Sequence, residues 1–123
     1  MQLSQVYRPL LLTCQSTDVL PAVAQKMTDE QVGALAVFDG GRIAGIISER
    51  DITRALATEP DPRVVTAVQY ASTEIEIATL GDDTERIAER MLEAGVRHLP
   101  VVHDHELVGM VSMRDLLALE TWG

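Results

Sequence analysis

The sequence predicts an α+β fold made of two copies of one β-α-β-β-α unit. The first observation is a repeated pattern of eight residues, four of them identical. Gly45-Ile46-Ile47-Ser48-Glu49-Arg50-Asp51-Ile52 is matched 64 positions later by Gly109-Met110-Val111-Ser112-Met113-Arg114-Asp115-Leu116. The second is that residues 17–52 and 81–116, aligned at this offset without a gap, have identical residues at ten of 36 positions. Several of the shared residues are polar, so the match exceeds a common rhythm of apolar positions.

Each repeat begins with a short apolar segment, predicted as a strand at Leu10–Thr13 and again at Ile75–Ala78. A helix follows in which apolar residues recur every three or four positions: Val19, Leu20, Val23, Ala24 and Met27 in the first repeat, and Ile87, Ala88, Met91 and Leu92 in the second. Asp18 is expected to cap the first helix and Pro21 to lie in its first turn. Gly95 is expected to end the second.

Two further strands and a helix complete each repeat. Strands at Ala34–Phe38 and Ile43–Ile47 flank Asp39-Gly40-Gly41-Arg42, which suits the positive φ angles of a tight hairpin. The second repeat has strands at Leu99–Val102 and Leu107–Val111, and helices are expected to open at Ser48 and Ser112. Since prolines in 59–63 block helix continuation, we divide the chain into repeat 1 with an N-terminal segment (1–58), a connector (59–69) and repeat 2 (70–123).

Size and charge limit the function. Half of 123 residues buries too small a core for comfortable stability, so the repeats are expected to pack as one module. A net charge of −9 opposes the binding of nucleic acid or an anionic membrane.

The longest apolar run, Val32–Phe38, falls far short of the roughly 20 residues that span a bilayer. With Cys14 as the only cysteine and no secretory signal at the start, we expect a cytoplasmic protein without disulfides.

The repeated Ser-x-x-Asp motifs, Ser48/Asp51 and Ser112/Asp115, are the strongest candidate binding residues. Both lie where a strand enters a helix, and free helix N–H groups favour anions there. An ionised Asp can accept hydrogen bonds from vicinal hydroxyls, and a Ser hydroxyl can donate to an anionic oxygen. The same spacing also forms a helix capping box. A cap requires neither the Arg nor the upstream Gly, which would let a ligand or a neighbouring backbone approach the strand.

On these motifs, on Arg97-His98-Leu99-Pro100-Val101-Val102 and on the helices near Met27 and Met91, the chain resembles a tandem pair of cystathionine-β-synthase-type (CBS) domains, a stand-alone Bateman module. The resemblance implies two β-α-β-β-α units packed through their sheets with pseudo-twofold symmetry and two clefts between the repeats. It also implies that Asp51 and Asp115 hold ribose hydroxyls. The implied phosphate partners are Ser48, Ser112, Arg50 and Arg114, although either Arg could instead pair with an acidic neighbour on its helix.

The resemblance further implies unequal clefts. Arg97 and His98 fill the place of a phosphate-directed basic residue, whereas the first repeat has Gly33 and Ala34 there. The alternative is an exposed Arg and a hydrogen-bonded His with structural roles only. Thr13 and Cys14, and in the second repeat Ile77 and Ala78, occupy family positions near the adenine, with core packing as the alternative.

The segment His103-Asp104-His105-Glu106 contains residue types that bind metals, but it aligns with the hairpin turn at 39–42, so we expect a solvated turn and no metal site. The sequence carries no Gly-x-x-x-x-Gly-Lys phosphate loop and no catalytic triad pattern, so we expect no enzyme and no required cofactor.

The leading hypothesis is a regulatory module that binds AMP, ADP, ATP or S-adenosylmethionine in a cleft between its repeats and passes a conformational change to a partner protein. A homodimer is expected through helical faces around Ile52, Ala55, Leu56, Leu116, Leu117 and Leu119, although these residues could equally complete the core. The alternative function is a dimerisation or interaction module with no physiological nucleotide.

Overall fold

A computed structural model describes residues 1–7, 12–73, 76–104 and 106–122, the last four of these by their backbone. The elements are β1 (Thr13–Gln15), α1 (Leu20–Glu30), β2 (Ala34–Asp39), β3 (Arg42–Ser48), α2 (Glu49–Thr58), α3 (Ala67–Tyr70), β4 (Ala78–Thr79), α4 (Thr84–Ala94), β5 (His98–His103), β6 (Glu106–Ser112) and α5 (Met113–Trp122). The predicted α+β class and the repeated β-α-β-β-α order are confirmed.

The strands form two three-stranded sheets, β1-β2-β3 and β4-β5-β6. In each sheet the first two strands are parallel and the last two form an antiparallel hairpin. The hairpins share one register, which places Ala34 opposite Ser48 and His98 opposite Ser112. Gly40 and Gly41, at φ +58° and +82°, make the predicted tight turn of the first hairpin.

The chain divides into two compact units. One contains Leu12–Ile75, and its core joins the buried side of α1 to β2 and β3 through residues such as Val23, Leu35 and Ile47. Val65 and Ala67, which follow the first repeat in sequence, are buried in the same core.

The other unit contains Met1–Leu11 and Glu76–Gly123. Its core is formed by fully or almost fully buried residues of α4, β5, β6 and α5, among them Ile87, Met91, Leu99 and Val111. Leu3, on a 3₁₀ turn near the start of the chain, is fully buried among them.

The short segments that precede the repeats are exchanged between these units. The amide of Leu3 donates to the carbonyl oxygen of Asp82 at 2.9 Å, and that of Ala67, its equivalent 64 positions later, donates to Asp18 at 2.8 Å. Each leading segment thus packs with the other repeat. The boundaries drawn from the sequence, 1–58, 59–69 and 70–123, follow the repeats, whereas the compact units cross them.

Several local predictions require correction. The first strand of each repeat lies later than expected, at Thr13–Gln15 and Ala78–Thr79, because pairing with the middle of the next strand fixes its register; Leu10 and Ile75 lie outside the described residues. Asp18 does not cap α1: Val19 holds that position, and Asp18 Oδ2 instead accepts from the Gln15 amide at 2.8 Å. Pro21 and Gly95 do lie in the predicted first turn and C-cap.

Helix α3, where the predicted connector meets repeat 2, was missed. Thr66 and Gln69 form a capping box at its start, so the Ser/Thr-x-x-Gln pattern was the signal available in the sequence. The carboxylate of Asp61 caps a 3₁₀ turn just before it through the amide of Arg63. Arg63 also pairs with this exposed carboxylate at 2.9 Å and holds its pKa below the ordinary value.

Candidate functional site

Ser48 and Asp51 meet at the start of α2. Asp51 Oδ2 accepts from the Ser48 amide at 2.8 Å and from Ser48 Oγ at 3.1 Å, while the Asp51 amide donates back to Ser48 Oγ at 3.4 Å. This is a complete capping box, so the capping interpretation is confirmed for the first motif. The reciprocal bonds also fix the carboxylate at a helix N-terminus. There the carboxylate could accept from ribose hydroxyls, and the free helix N–H groups could donate to a phosphate.

Arg54 contacts the other carboxylate oxygen. Its Nη2 lies 2.7 Å from Asp51 Oδ1, and the side chains of Arg54 and Asp51 are 59% and 13% exposed. Arg54 was not among the predicted site residues, although a separation of three positions on a helix was a usable signal. Arg50, predicted to meet phosphate or pair along the helix, has an exposed side chain on the first turn of α2.

The second motif repeats the cap. The Asp115 amide donates to Ser112 Oγ at 3.1 Å, and the side chain of Asp115 is half-buried. Arg114 is exposed on the first turn of α5.

The structure brings Arg97 and His98 beside the second motif. His98 lies opposite Ser112 in the β5–β6 ladder, and the carbonyl of Arg97 accepts from the Met113 amide at 2.8 Å. The first repeat has the same backbone arrangement, since Gly33 accepts from Glu49 at 3.0 Å. The two motifs therefore share a frame and differ in the basic side chains next to it.

The residues predicted near adenine divide into two kinds. Cys14 and Ala78 are buried in the cores of their units, which supports the packing alternative for both. Thr13 is half-buried and Ile77 is 46% exposed.

A repeated backbone contact was also missed beside these residues. Lys26 Nζ donates to the Thr13 carbonyl, and Arg90, its equivalent in the second repeat, donates to the Ile77 carbonyl at 3.0 Å. The aligned pair of basic residues on α1 and α4 was the signal in the sequence. Each anchors the entry of a first strand to the following helix.

The Cys14 thiol has a raised pKa. Burial, reinforced by the nearby Asp18 carboxylate and opposed by the Lys26 ammonium, raises the pKa of Cys14 to about 11. The thiolate is the nucleophile, so the thiol should react slowly near neutral pH.

The segment that begins at His103 forms the expected turn after β5, with Asp104 at φ +50°; His105 lies outside the described residues. His103 Nε2 lies 3.3 Å from Asp104 Oδ2 at the surface. Within 1–7, 12–73, 76–104 and 106–122, no three His, Cys, Asp or Glu side chains are grouped as metal ligands. In the same part of the chain, none of the helices combines the length and apolar character needed to cross a bilayer.

Comparison with known proteins identifies relatives. Hypoxic response protein 1 of Mycobacterium tuberculosis is 34% identical over 101 residues, which are 80% of this chain and 71% of that protein. Protein MJ1225 of Methanocaldococcus jannaschii is 31% identical over 105 residues, covering 85% of this chain. The match spans only 37% of that archaeal protein's length.

Solved structures share the fold across nearly the whole chain. A protein with CBS domains from Burkholderia ambifaria MC40-6 gives a TM-score of 0.92 at 25% identity, covering 98% of this chain and 93% of its own. The CBS domain pair of MJ0100, solved with 5′-methylthioadenosine and S-adenosyl-L-methionine, gives 0.90 at 22% identity, covering 99% and 97%. The family model described as CBS domain matches residues 3–58 and again 65–120. The chain therefore belongs to the CBS domain family and carries two copies of the domain.

Proposed function

We propose that the chain is a regulatory module that binds an adenosine-containing ligand, AMP, ADP, ATP or S-adenosylmethionine, through its Ser-x-x-Asp motifs. The observation that carries the proposal is the capped carboxylate of Asp51, which its own helix start holds in a fixed orientation. A fixed carboxylate can accept both hydroxyls of a ribose, and hydrogen bonds to a charged group contribute about 1.5–3 kcal/mol each. The second copy at Asp115 has the same sequence context.

The family supports an adenosine ligand. The CBS domain pair of MJ0100 carries 5′-methylthioadenosine and S-adenosyl-L-methionine in its solved structure, and it shares the fold of this chain. Both compounds contain the adenosine group that the Asp side chains are proposed to recognise.

Ligands with phosphate are proposed to favour the second motif. Arg97 and His98 bring cationic or hydrogen-bonding groups to the strand start opposite Ser112, and the first repeat has Gly33 and Ala34 there. With a net charge of −9 on the chain, such local donors are needed to hold an anion.

Signalling is proposed to work by a population shift: a ligand that binds one conformation more tightly raises the populated fraction of that conformation, and a partner protein responds to it.

We also propose a cytoplasmic homodimer that uses exposed apolar residues on the helices, such as Leu56 at 64% and Leu117 at 53% exposed. Ala55 and Leu116 are buried in the cores of their own units, so they serve the fold. Ile52 packs at the edge of the first core, and the side chain of Leu119 lies outside the described residues.

One observation favours the alternative of an interaction module without a nucleotide. Both oxygens of Asp51 already have partners inside the unit, Ser48 on one side and Arg54 on the other. A carboxylate satisfied in this way has a complete structural role without any ligand.

Isothermal titration calorimetry against AMP, ATP and S-adenosylmethionine separates the two functions, with Asp51→Ala, Asp115→Ala and, as a control, Thr66→Ala. The control removes a helix cap outside the two motifs, and so isolates any effect of lost stability. The proposal expects saturable binding of AMP and ATP that Asp115→Ala weakens more than Asp51→Ala does and that Thr66→Ala preserves. Absence of binding heat with every ligand, from protein that circular dichroism shows to be folded, would establish the alternative.

The proposal includes no catalytic step. Incubation of the protein with ATP followed by product analysis should return unchanged ATP. Formation of ADP or AMP at a rate that purification to homogeneity does not remove would contradict this.

A further inference from the structure

Arg54 contacts the Tyr70 ring in addition to its ion pair with Asp51. Its guanidinium carbon lies 5.8 Å from the centre of the Tyr70 ring, within the range of a cation–π contact. The Tyr70 hydroxyl donates to Glu59 Oε2 at 2.8 Å and lies 2.7 Å from the Thr58 hydroxyl. The ring is therefore fixed at the end of α2, where it contacts the guanidinium that pairs with Asp51.

This arrangement occurs in only one of the two repeats. At an offset of 64 positions, Ala118 stands where the first repeat has Arg54, and Val6 stands where it has Tyr70. The second unit nevertheless has the equivalent three strands, the helices α4 and α5 and the Ser112 cap. The Arg54–Tyr70 pair is thus not needed to build such a unit.

The contact uses the part of Asp51 that a ligand would need. Oδ2 is engaged by the amide and hydroxyl of Ser48, so Oδ1 is the oxygen that the cap leaves for an outside donor, and Arg54 occupies it at 2.7 Å. Each carboxylate oxygen has two acceptor sites, and Ser48 fills both on Oδ2. Two ribose hydroxyls would therefore need both sites on Oδ1, and the guanidinium occupies one of them.

We propose that Arg54 is a built-in counter-ion that closes the first motif, so that a ribose-bearing ligand must displace it from Asp51. This inference rests on the proposed function and adds a specificity-determining residue to it: Arg54 weakens ribose binding at the first motif because it occupies Asp51 Oδ1. Displacement is feasible because the Arg54 side chain is 59% exposed and can swing into water. An ion pair whose cationic partner is mostly in water contributes about 0.2–1 kcal/mol, which corresponds to roughly a 1.4- to 5-fold effect on affinity.

The test reads each motif separately. An Asp115→Ala background leaves Asp51 as the intact motif, and Arg54→Ala is added to it; an Asp51→Ala background leaves Asp115, and Ala118→Arg is added. These two changes exchange the residues that the repeats carry at one equivalent position. Arg54→Gln, which keeps a long polar side chain without the charge, guards against an effect of lost packing.

Adenosine is the main probe, because it has a ribose and no phosphate for Arg54 to hold, and AMP is the second. Calorimetry should show adenosine binding tightened up to about 5-fold by Arg54→Ala and Arg54→Gln, and weakened by a similar factor by Ala118→Arg. The gain should shrink in high salt, which screens the pair in the unsubstituted protein.

Adenosine affinity that is unchanged or lower in both Arg54 variants would overturn the inference and leave the proposed function intact. Weaker AMP binding with unaltered adenosine binding would do the same, by making Arg54 a phosphate ligand. If the unsubstituted chain and all the variants, each folded, bind neither probe, the proposed function fails together with the inference. First-motif binding that appears only when Arg54 is removed would support the inference directly.

Discussion

Gly45 and Ser72 are in backbone contact: a β-carbon on Gly45 would lie 2.5 Å from the carbonyl oxygen of Ser72. The contact is fixed by a pair of hydrogen bonds between Ile46 and Ser72, at 3.0 and 2.9 Å. The glycine ahead of the first Ser-x-x-Asp motif thus admits a neighbouring backbone, which was one of the two explanations that the sequence left open for it.

Gly45→Ala should destabilise the protein by roughly 1–3 kcal/mol, because the strand or Ser72 must shift to accept the methyl group. Urea denaturation measures the change. Gly81→Ala is the matched control, since a β-carbon there meets nothing within 4 Å, and it should change stability little. Equal effects of the two substitutions would show that the contact with Ser72 is not a constraint.

Leu3→Ala should cost about 2–5 kcal/mol, because Leu3 is fully buried in the second unit although it precedes the first repeat. Leu92→Ala, in the same unit at 74% exposed, should stay within about 0.5 kcal/mol. Thermal unfolding by circular dichroism can compare them. A mild effect at Leu3 would mean that the leading segment contributes little to that core.

Ser48 and Asp51 should behave as one unit in a double-mutant cycle. Replacing either by Ala removes the cap and should cost about 0.5–2 kcal/mol, while the double variant should cost clearly less than the sum. Urea midpoints of the four proteins provide the coupling energy. Strict additivity would contradict the reciprocal bonds between these residues.

Cys14 should make the fold sensitive to alkaline pH. An unfolded thiol loses its proton near pH 9, whereas the folded pKa of Cys14 is about 11, so the folded state holds the proton more tightly. Stability is therefore fully present below pH 9 and should fall by up to about 2 kcal/mol as the pH rises to 11. The slope of unfolding free energy against pH, compared with that of Cys14→Ala, isolates this contribution. Identical slopes would place Cys14 in contact with water.

Local patterns predicted most of the elements. The hairpin at residues 34–48 follows from two apolar runs around a Gly-Gly turn, and α4 from its apolar spacing and Gly95, because these features depend on neighbours along the chain. The first strands were misplaced because their limits depend on pairing with β2 and β5, which no local pattern encodes.

The sequence predicted the Ser-x-x-Asp motifs of the candidate site, and it predicted the residues that contact them only in part. Ser48 and Asp51 were predicted from their spacing, and His98 from the resemblance to the CBS family. The position of His98 opposite Ser112 became known only from the hairpin register of the structure. Arg54 was missed because comparison of the repeats indicates Arg50, which both of them carry, while the ion pair with Asp51 depends on a residue that differs between them. A repeat alignment reveals what the copies share, and the side chains that make them unequal have to be found from contacts.

The exchanged leading segments impose an order of assembly on this chain. Residues 1–7 leave the ribosome well before residues 76–122, the segment that completes the core around Leu3. The unit of Leu12–Ile75 can form as soon as Ser72 has emerged, whereas Leu3 has to wait for Asp82 and the helices and strands after it. A nascent chain stalled at the connector would hold Leu3 exposed to chaperones, and the second unit would fold only when residues 1–7 met the segment that follows residue 76.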